Sequence, residues 1–382
     1  MTQTRAAFLH SPEIERFRYP PDCPFKTERA GMTRRILAGV GLLSGSGRAE
    51  VGFEAAPRPV LERFHTARYL DAMQRAAAGD LDVAAFGMGF GQPEVPVFRE
   101  MYDYAALACG ATFRGADLVA EGEAHVAFNP SGGYHHAGPE SAAGFCYVND
   151  VALACLVLAD RLERVLFLDV DVHHGDGVQE AFYDRADVMT ISLHESGESL
   201  FPGTGFEDEI GAGDGRGYCV NVPLPVGTYD AAYVRAFEAL AVPLIRAFDP
   251  NAIVFEVGAD GLAGDPLAFL SLTNNVYAAV ARQVVGFGKP VLATGGGGYH
   301  PENTARAWAL VWAALAGEEN QEEMALGLGG VMLETTDWQA GLRDRQRPPG
   351  TMQRRIVDPA VDETIDKVRA NVFAIHGLQP HD

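Results

Sequence analysis

The residues best able to do chemistry fall in four short clusters, each directly behind an apolar run. HVAF at 125–128 leads into NPSGGYHH, with His135 and His136. VLFL at 165–168 leads into DVDVHHGDG, with Asp169, Asp171, His173, His174 and Asp176. IVFEV at 253–257 leads into GADGLAGD, with Asp260 and Asp265. VLAT at 291–294 leads into GGGGYH, with Tyr299 and His300. Residues two apart in an extended segment point to one side. Asp171 and His173 therefore make two legs of a metal site, and Asp260, at another strand end, is the natural third. Such an Asp/His/Asp set suits zinc, iron or cobalt, and three protein ligands leave a position open for catalysis. An isolated D-x-H is more often a solvated pair. The crowding of ionisable groups against an apolar run argues for a site here.

His135 and His136 follow a Gly-Gly turn that lets the backbone approach closely. Asp169 and Asp176 are spare carboxylates, and each can accept a hydrogen bond from one histidine, fixing its tautomer and raising its basicity. Two carboxylate–histidine pairs beside a metal-activated water describe a hydrolase. Tyr299, carried on the flexible tetraglycine 295–298, can donate to a developing oxyanion. The tetraglycine lacks the Lys-Ser/Thr ending of a phosphate loop, and neither strand nor helix frames GMGFG at 87–91 as a dinucleotide fingerprint requires.

The elements that must carry these groups are legible as short apolar runs: 6–9, 125–128, 165–170, 188–193, 253–257 and 291–294. Most are apolar at consecutive positions, as in strands of a parallel sheet covered on both faces. Helices are expected between them at 149–162, at 230–247 with Pro243 as a kink or break, and at 302–316. Residues 83–98 read as a Gly/Pro-rich loop, and RQRPPGT at 345–351 as a breaker. A last helix of about 358–376 is expected to open at Asp358 and Pro359, with Val361, Ile365, Val368 and Val372 on one face. The alternation of strand and helix predicts one open α/β domain over 1–382, with its ligands outside the carboxyl ends of the strands.

Composition narrows the partners. The 382 residues carry 30 Lys and Arg against 51 Asp and Glu, a formal charge of −21, which argues against direct nucleic-acid binding. Hydrophobic residues make up 47%, enough for a large core and too many for global disorder. The 5 cysteines form no C-x-x-C pair, so neither a disulfide scaffold nor a cysteine zinc site is expected. There is no signal-peptide pattern, and VALACLVLA at 151–159 is too short to span a bilayer, so no membrane association and a cytoplasmic location are expected.

The ordered motifs GGYHHA at 132–137, GFCYVND at 144–150, LDVDVHHGDGVQ at 168–179, SLH at 192–194, FPGTG at 201–205, GADGLAGDP at 258–266 and GGGGY at 295–299 resemble the metal-dependent histone deacetylase family. That family includes bacterial acetoin utilization proteins and acetylpolyamine amidohydrolases. The resemblance extends from about Arg29, through FHTARYL at 64–70, to about Trp312, with a motif-bearing core of about 29–315. It implies an open α/β domain with an eight-stranded parallel sheet and a zinc-dependent hydrolase that removes acetyl or other acyl groups from lysine. Asp171, His173 and Asp260 would be the zinc ligands, with Fe2+ or Co2+ as alternatives. His136 would be the general base and acid, His135 its electrostatic partner, Asp169 and Asp176 their carboxylate partners, and Tyr299 the group that polarises the acyl carbonyl. Phe145 and Phe201 would wall an acyl-lysine tunnel that Gly144 keeps open. Asp169, Ser192 and the backbones of Asp171, His173 and Leu193 would hold a structural potassium ion.

Glu94 stands where many relatives carry the Asp that holds the substrate backbone. Cys23 and Thr27 depart from the common N-terminal pattern. Gly175 and Gly258 stand where the related arginase-like ureohydrolases, with two manganese ions, carry carboxylates, so one metal is expected. The substrate is an acylated lysine in a protein or peptide or, alternatively, a small acetylated amine such as an acetylpolyamine. A catalytically silent acyl-lysine reader would lack Tyr299, His136 or a ligand, and all are present. Oligomers are compatible with the sequence.

Overall fold

The computed structural model describes residues 4–318 and 341–379. The expected domain extent of 1–382 includes 1–3, 319–340 and 380–382, which lie outside the described residues. Eight strands form one sheet: β1 (Thr4–Leu9), β2 (Arg48–Val51), β3 (Ala124–Asn129), β4 (Val165–Asp169), β5 (Val188–Glu195), β6 (Cys219–Leu224), β7 (Ala252–Glu256) and β8 (Val291–Thr294). All pairings are parallel, in the order β2-β1-β3-β8-β7-β4-β5-β6. The expected open α/β fold with an eight-stranded parallel sheet is therefore observed. All six anticipated strands are present.

The other two strands sit at the two edges, where apolar runs are not required. β2 is RAEV, charged at two of four positions. β6 is CVNVPL; its Pro223 lacks an N–H, which an edge strand tolerates. Helices cover both faces. One face packs Phe8, Phe128, Leu166 and Phe255 against the helices Glu28–Gly39, Asn274–Gly286 and Pro301–Ala316. The other packs Ala7, Ala127, Phe167 and Val254 against Met101–Ala120 and Asp150–Leu162. Among the described residues no helix is long and apolar enough to cross a membrane.

Two expectations need correction, and the expected helix over 230–247 is present. Val83–Gly87 is a short helix inside the presumed loop, because Asp82 caps it by accepting from the Ala85 N–H at 2.7 Å. The stretch around Pro243 does not break. The helix runs as Asp230–Ala236, a π-helical turn at Phe237–Ala241, and Val242–Phe248; the widened turn absorbs the N–H that Pro243 lacks. The last helix spans Thr351–Val372, seven residues earlier than expected, with Pro359 inside it. Asp358 does not cap that helix but accepts from the Tyr229 hydroxyl at 2.5 Å. Val357 is buried along with Val361, Ile365, Val368 and Val372, so the apolar stripe begins before Asp358.

Candidate active site

β3, β8, β7 and β4 are consecutive in the sheet, and these are the four strands whose C-terminal ends carry the polar clusters. The clusters thus meet at the middle of one sheet edge. β4 ends at Asp169, so Asp171 and His173 lie in the bend beyond it rather than in extended strand. They still converge. His173 Nδ1 lies 3.2 Å from Asp171 Oδ1 and 3.0 Å from Asp260 Oδ2. The three groups are buried, and their ligand atoms lie within 4.8 Å of one another. Burial opposes a charge on His173, but hydrogen bonds to Asp171 and Asp260 outweigh it and raise its pKa to about 10. A proton held this firmly between two carboxylates marks a place that favours a cation. The donor set, one imidazole and two carboxylates, fits a divalent ion. Gly258 is required here by close approach: a Cβ at that position would overlap the Asp171 carboxylate.

The two histidines stand beside this group. His135 Nδ1 is 2.9 Å from Asp169 Oδ2, and His136 Nδ1 is 2.7 Å from Asp176 Oδ1. Their Nε2 atoms are 3.0 Å apart, so with both Nδ1 atoms donating to carboxylates one proton lies between the rings. Burial disfavours the charge on His135, but Glu256, Asp169 and Asp171 together outweigh it and hold its pKa well above the usual histidine value. Burial and the neighbouring His135 charge push His136 down to about 4. His136 is thus neutral at pH 7.

A cavity of about 360 Å³ opens onto these groups, lined by Glu94, His136, Gly144, Phe145, His173, Leu200, Phe201, Leu267 and Tyr299. Phe145 and Phe201 border it from different segments, with the Phe201 ring 5.0 Å from the His136 ring and the Phe145 ring 5.5 Å from the Tyr299 ring. Phe145 has φ of 65°, and its backbone is fixed on both sides: its N–H donates to Glu94 O at 2.8 Å, and its carbonyl accepts from the Tyr19 hydroxyl at 2.8 Å. Gly144 adopts φ of 50°, and a Cβ there would overlap the His136 ring. Burial, then the charges of Asp260 and Asp171, raise the Tyr299 pKa well above 10, which keeps its hydroxyl a donor. The structure therefore brings together every metal and catalytic residue expected from the sequence and the four rim residues Glu94, Gly144, Phe145 and Phe201. The Asp169 and Ser192 positions pair in register on β4 and β5, and Ser192 Oγ lies 2.8 Å from His194 Nδ1.

Several residues that hold the site carried no role in the sequence reading. Asp150 accepts from the Tyr134 N–H at 2.8 Å and the Gly133 N–H, while the Asn149 amide donates to the His135 and Ala137 carbonyls. The tetraglycine is buried and fixed rather than flexible: Arg29 donates to Gly298 O at 2.7 Å and Gly296 O at 3.0 Å, and the Gly297 N–H donates to Asp171. Asp265 accepts from the Tyr299 N–H at 2.8 Å. Glu256, at the end of β7, faces His135. Its signal was visible: a lone charged residue inside the run IVFEV.

Residues 23–315 match the histone deacetylase domain. Histone deacetylase 8 of Xenopus tropicalis is 38% identical over 300 residues, covering 78% of this chain and 80% of that protein. Histone deacetylase RPD3 of Saccharomyces cerevisiae is 37% identical over 313 residues, covering 80% and 70%. The chain belongs to the histone deacetylase family. It spans 63% of Histone deacetylase 3 of Oryza sativa, to which it is 38% identical over 327 residues. Its fold is similar to the crystal structure of an HDAC homolog from Aquifex aeolicus, with a TM-score of 0.82 and 31% identity, covering 94% of this chain and 100% of that one. An HDAC homolog complexed with SAHA gives a TM-score of 0.81 and 32% identity. By family and fold the chain is a hydrolase of the histone deacetylase type.

Proposed function

We propose that this protein is a zinc-dependent lysine deacylase acting on acetylated, or otherwise acylated, lysine in a protein or peptide. The observation that carries the proposal is the cavity that runs between Phe145 and Phe201 to His136, His173 and Tyr299. Its walls are apolar where an aliphatic lysine stem would pass, and its floor holds the ionisable groups. A divalent ion held by Asp171, His173 and Asp260 would supply an activated water and polarisation of the acyl carbonyl.

The chain's own groups do the rest. Neutral His136 accepts a proton at Nε2 and returns it to the leaving amine. Asp176 fixes the His136 tautomer through Nδ1, and Asp169 does the same for His135. Tyr299 donates its hydroxyl hydrogen to the developing oxyanion. Glu94 at the rim accepts hydrogen bonds from the substrate backbone. Potassium, held by Asp169, Ser192 and the backbones of Asp171, His173 and Leu193, would stiffen the β4–β5 side of the site; the register that places Asp169 beside Ser192 supports this. The free, buried state of all five cysteines suits a reducing cytoplasm.

The test is release of acetate from an acetyl-lysine peptide by purified protein, with and without a chelator. Turnover that stops on chelation and returns with zinc supports the proposal. Turnover of acetylpolyamines but not peptides would shift the substrate to small amines, and turnover indifferent to chelation would refute the metal role.

A further inference from the structure

Glu256 lies beside the catalytic pair, and the mechanism above gives it no task. It is fully buried, and it pairs in register with Asp169 across β7 and β4. Its Oε1 lies 3.3 Å from His135 Nδ1, the nitrogen that already bonds Asp169 at 2.9 Å. Among the described residues neither oxygen of Glu256 has a hydrogen-bond partner. A buried acid without hydrogen bonds lowers stability, and apolar residues of similar volume in such places are often neutral or stabilising. The position therefore calls for an explanation other than packing.

The only ion-pair partner recorded for Glu256 among the described residues is His135. His135 in turn meets His136 Nε2 at 3.0 Å, at the edge of the substrate cavity. We propose that Glu256 is a positioning residue, a second carboxylate that together with Asp169 cradles His135 and so holds the His135–His136 pair in place for proton transfer at His136. The asymmetry of the pair supports this: two carboxylates face His135, and one, Asp176, faces His136. Acidic side chains on two neighbouring strands thus flank one nitrogen of His135 and restrict its ring, and through the 3.0 Å contact between the rings that of His136. A rival explanation is a cation between His135, Asp169 and Glu256, whose ligand atoms lie within 4.8 Å of one another. The 2.9 Å bond from His135 Nδ1 to Asp169 argues against it, because a nitrogen that donates its hydrogen has no lone pair for a metal.

The inference rests on the deacylase reading, and the experiment separates the two. Glu256→Gln keeps the size and removes the charge; Glu256→Leu removes the polar group. Both are assayed as metal-loaded full-length protein on an acetyl-lysine peptide. Loss of a carboxylate that orients a metal-ligating histidine typically costs about 10–100-fold, and a loss of the same order is expected for one that orients His135. The expected result is a fall of about that size in kcat for both variants, with KM within about twofold of wild type, the divalent-ion content unchanged, and a Tm for Glu256→Leu at or above the wild-type value. Stability held while turnover falls is a combination that a packing role does not produce. Wild-type kcat in Glu256→Gln would overturn the proposal. So would a marked fall in Tm for Glu256→Leu, which would make the residue structural, or the loss of a second bound ion, which would make it a ligand. An inactive wild-type protein would instead refute the deacylase reading.

Discussion

Gly144→Ala separates the shape of the cavity from the stability of the fold. The substitution adds one methyl group, with two consequences. Gly144 has φ of 50°, in the left-handed region, where a non-glycine residue costs roughly 1–2 kcal/mol. The new Cβ would also overlap the His136 ring and lie 3.0 Å from Phe201 Cε1. Neither ring can be left where it is. His136 is tied through Nδ1 to Asp176 at 2.7 Å, so moving its ring lengthens that bond or shifts Nε2 away from the reacting atoms. A displacement of about 1 Å at a catalytic group can cost about 10²-fold in rate. Gly144→Ala should therefore lower kcat/KM on an acetyl-lysine peptide by about that factor.

The control is Gly41→Ala. Gly41 has φ of 71° and nothing within 4 Å of a Cβ, so it shares the backbone cost without the collision. Both variants should lose stability by thermal unfolding, Gly144→Ala the more because of the collisions, and only Gly144→Ala should lose activity under conditions where both stay folded. Equal activity in the two variants would refute the claim that Gly144 sets the width of the cavity at His136. An equal loss of activity in Gly41→Ala would trace the effect to the backbone and not to the cavity.

Tyr299→Phe removes one oxyanion donor and should reduce kcat by about 10²–10³ while a hydroxamate still binds; wild-type kcat would remove Tyr299 from the mechanism. Asp260→Ala should lose the bound divalent ion, read by elemental analysis, together with turnover. His136→Ala should lose turnover and keep the ion. Chelation should lower the wild-type Tm and leave that of Asp260→Ala unmoved, because an ion that binds only the folded state stabilises it by mass action. Glu94→Ala should lower kcat/KM about tenfold on acetyl-lysine peptides, equivalent to about 1.4 kcal/mol, and much less on an acetyl-lysine mimic without flanking amides. Equal loss on both substrates would indicate a disturbed Phe145 loop, since the Glu94 carbonyl accepts from the Phe145 N–H.

What the sequence made legible follows from burial on both sheet faces. β3, β4, β7 and β8 are apolar at nearly every position because helices cover them twice, so their ends and the polar groups beyond them stand out. β2 and β6, at the edges, mix charged or polar residues into short runs and give no such signal. The spacing of Asp171 and His173 marked a converging pair even though the geometry that joins them is a bend rather than a strand. The strand order was not readable. Nothing local states that β8 and β7 insert between β3 and β4, yet that order brings Tyr299, His136 and His173 to one cavity, with Asp260 against His173.

The same limit applies to the residues that hold the site rigid, and it has a physical cause. Arg29, Asp150 and Asp265 are chemically ordinary in sequence. Each acquires its task only from a partner far along the chain. Arg29 reaches Gly298 across 269 positions, and Asp265 reaches the Tyr299 N–H across 34. Their work is to satisfy backbone groups that loops at a sheet edge would otherwise leave unpaired in a buried place. A loop with its N–H and C=O groups so engaged cannot drift, and the side chains it carries inherit that rigidity. The precision of His136 and Tyr299 therefore depends on buried polar residues that never touch the substrate. Arg29→Ala tests this directly: with the tetraglycine carbonyls released, Tyr299 should lose its register and kcat should fall, although no donor, ligand or cavity wall has been removed. An Arg29→Ala protein with wild-type kcat would show that the 295–298 backbone is held by other means.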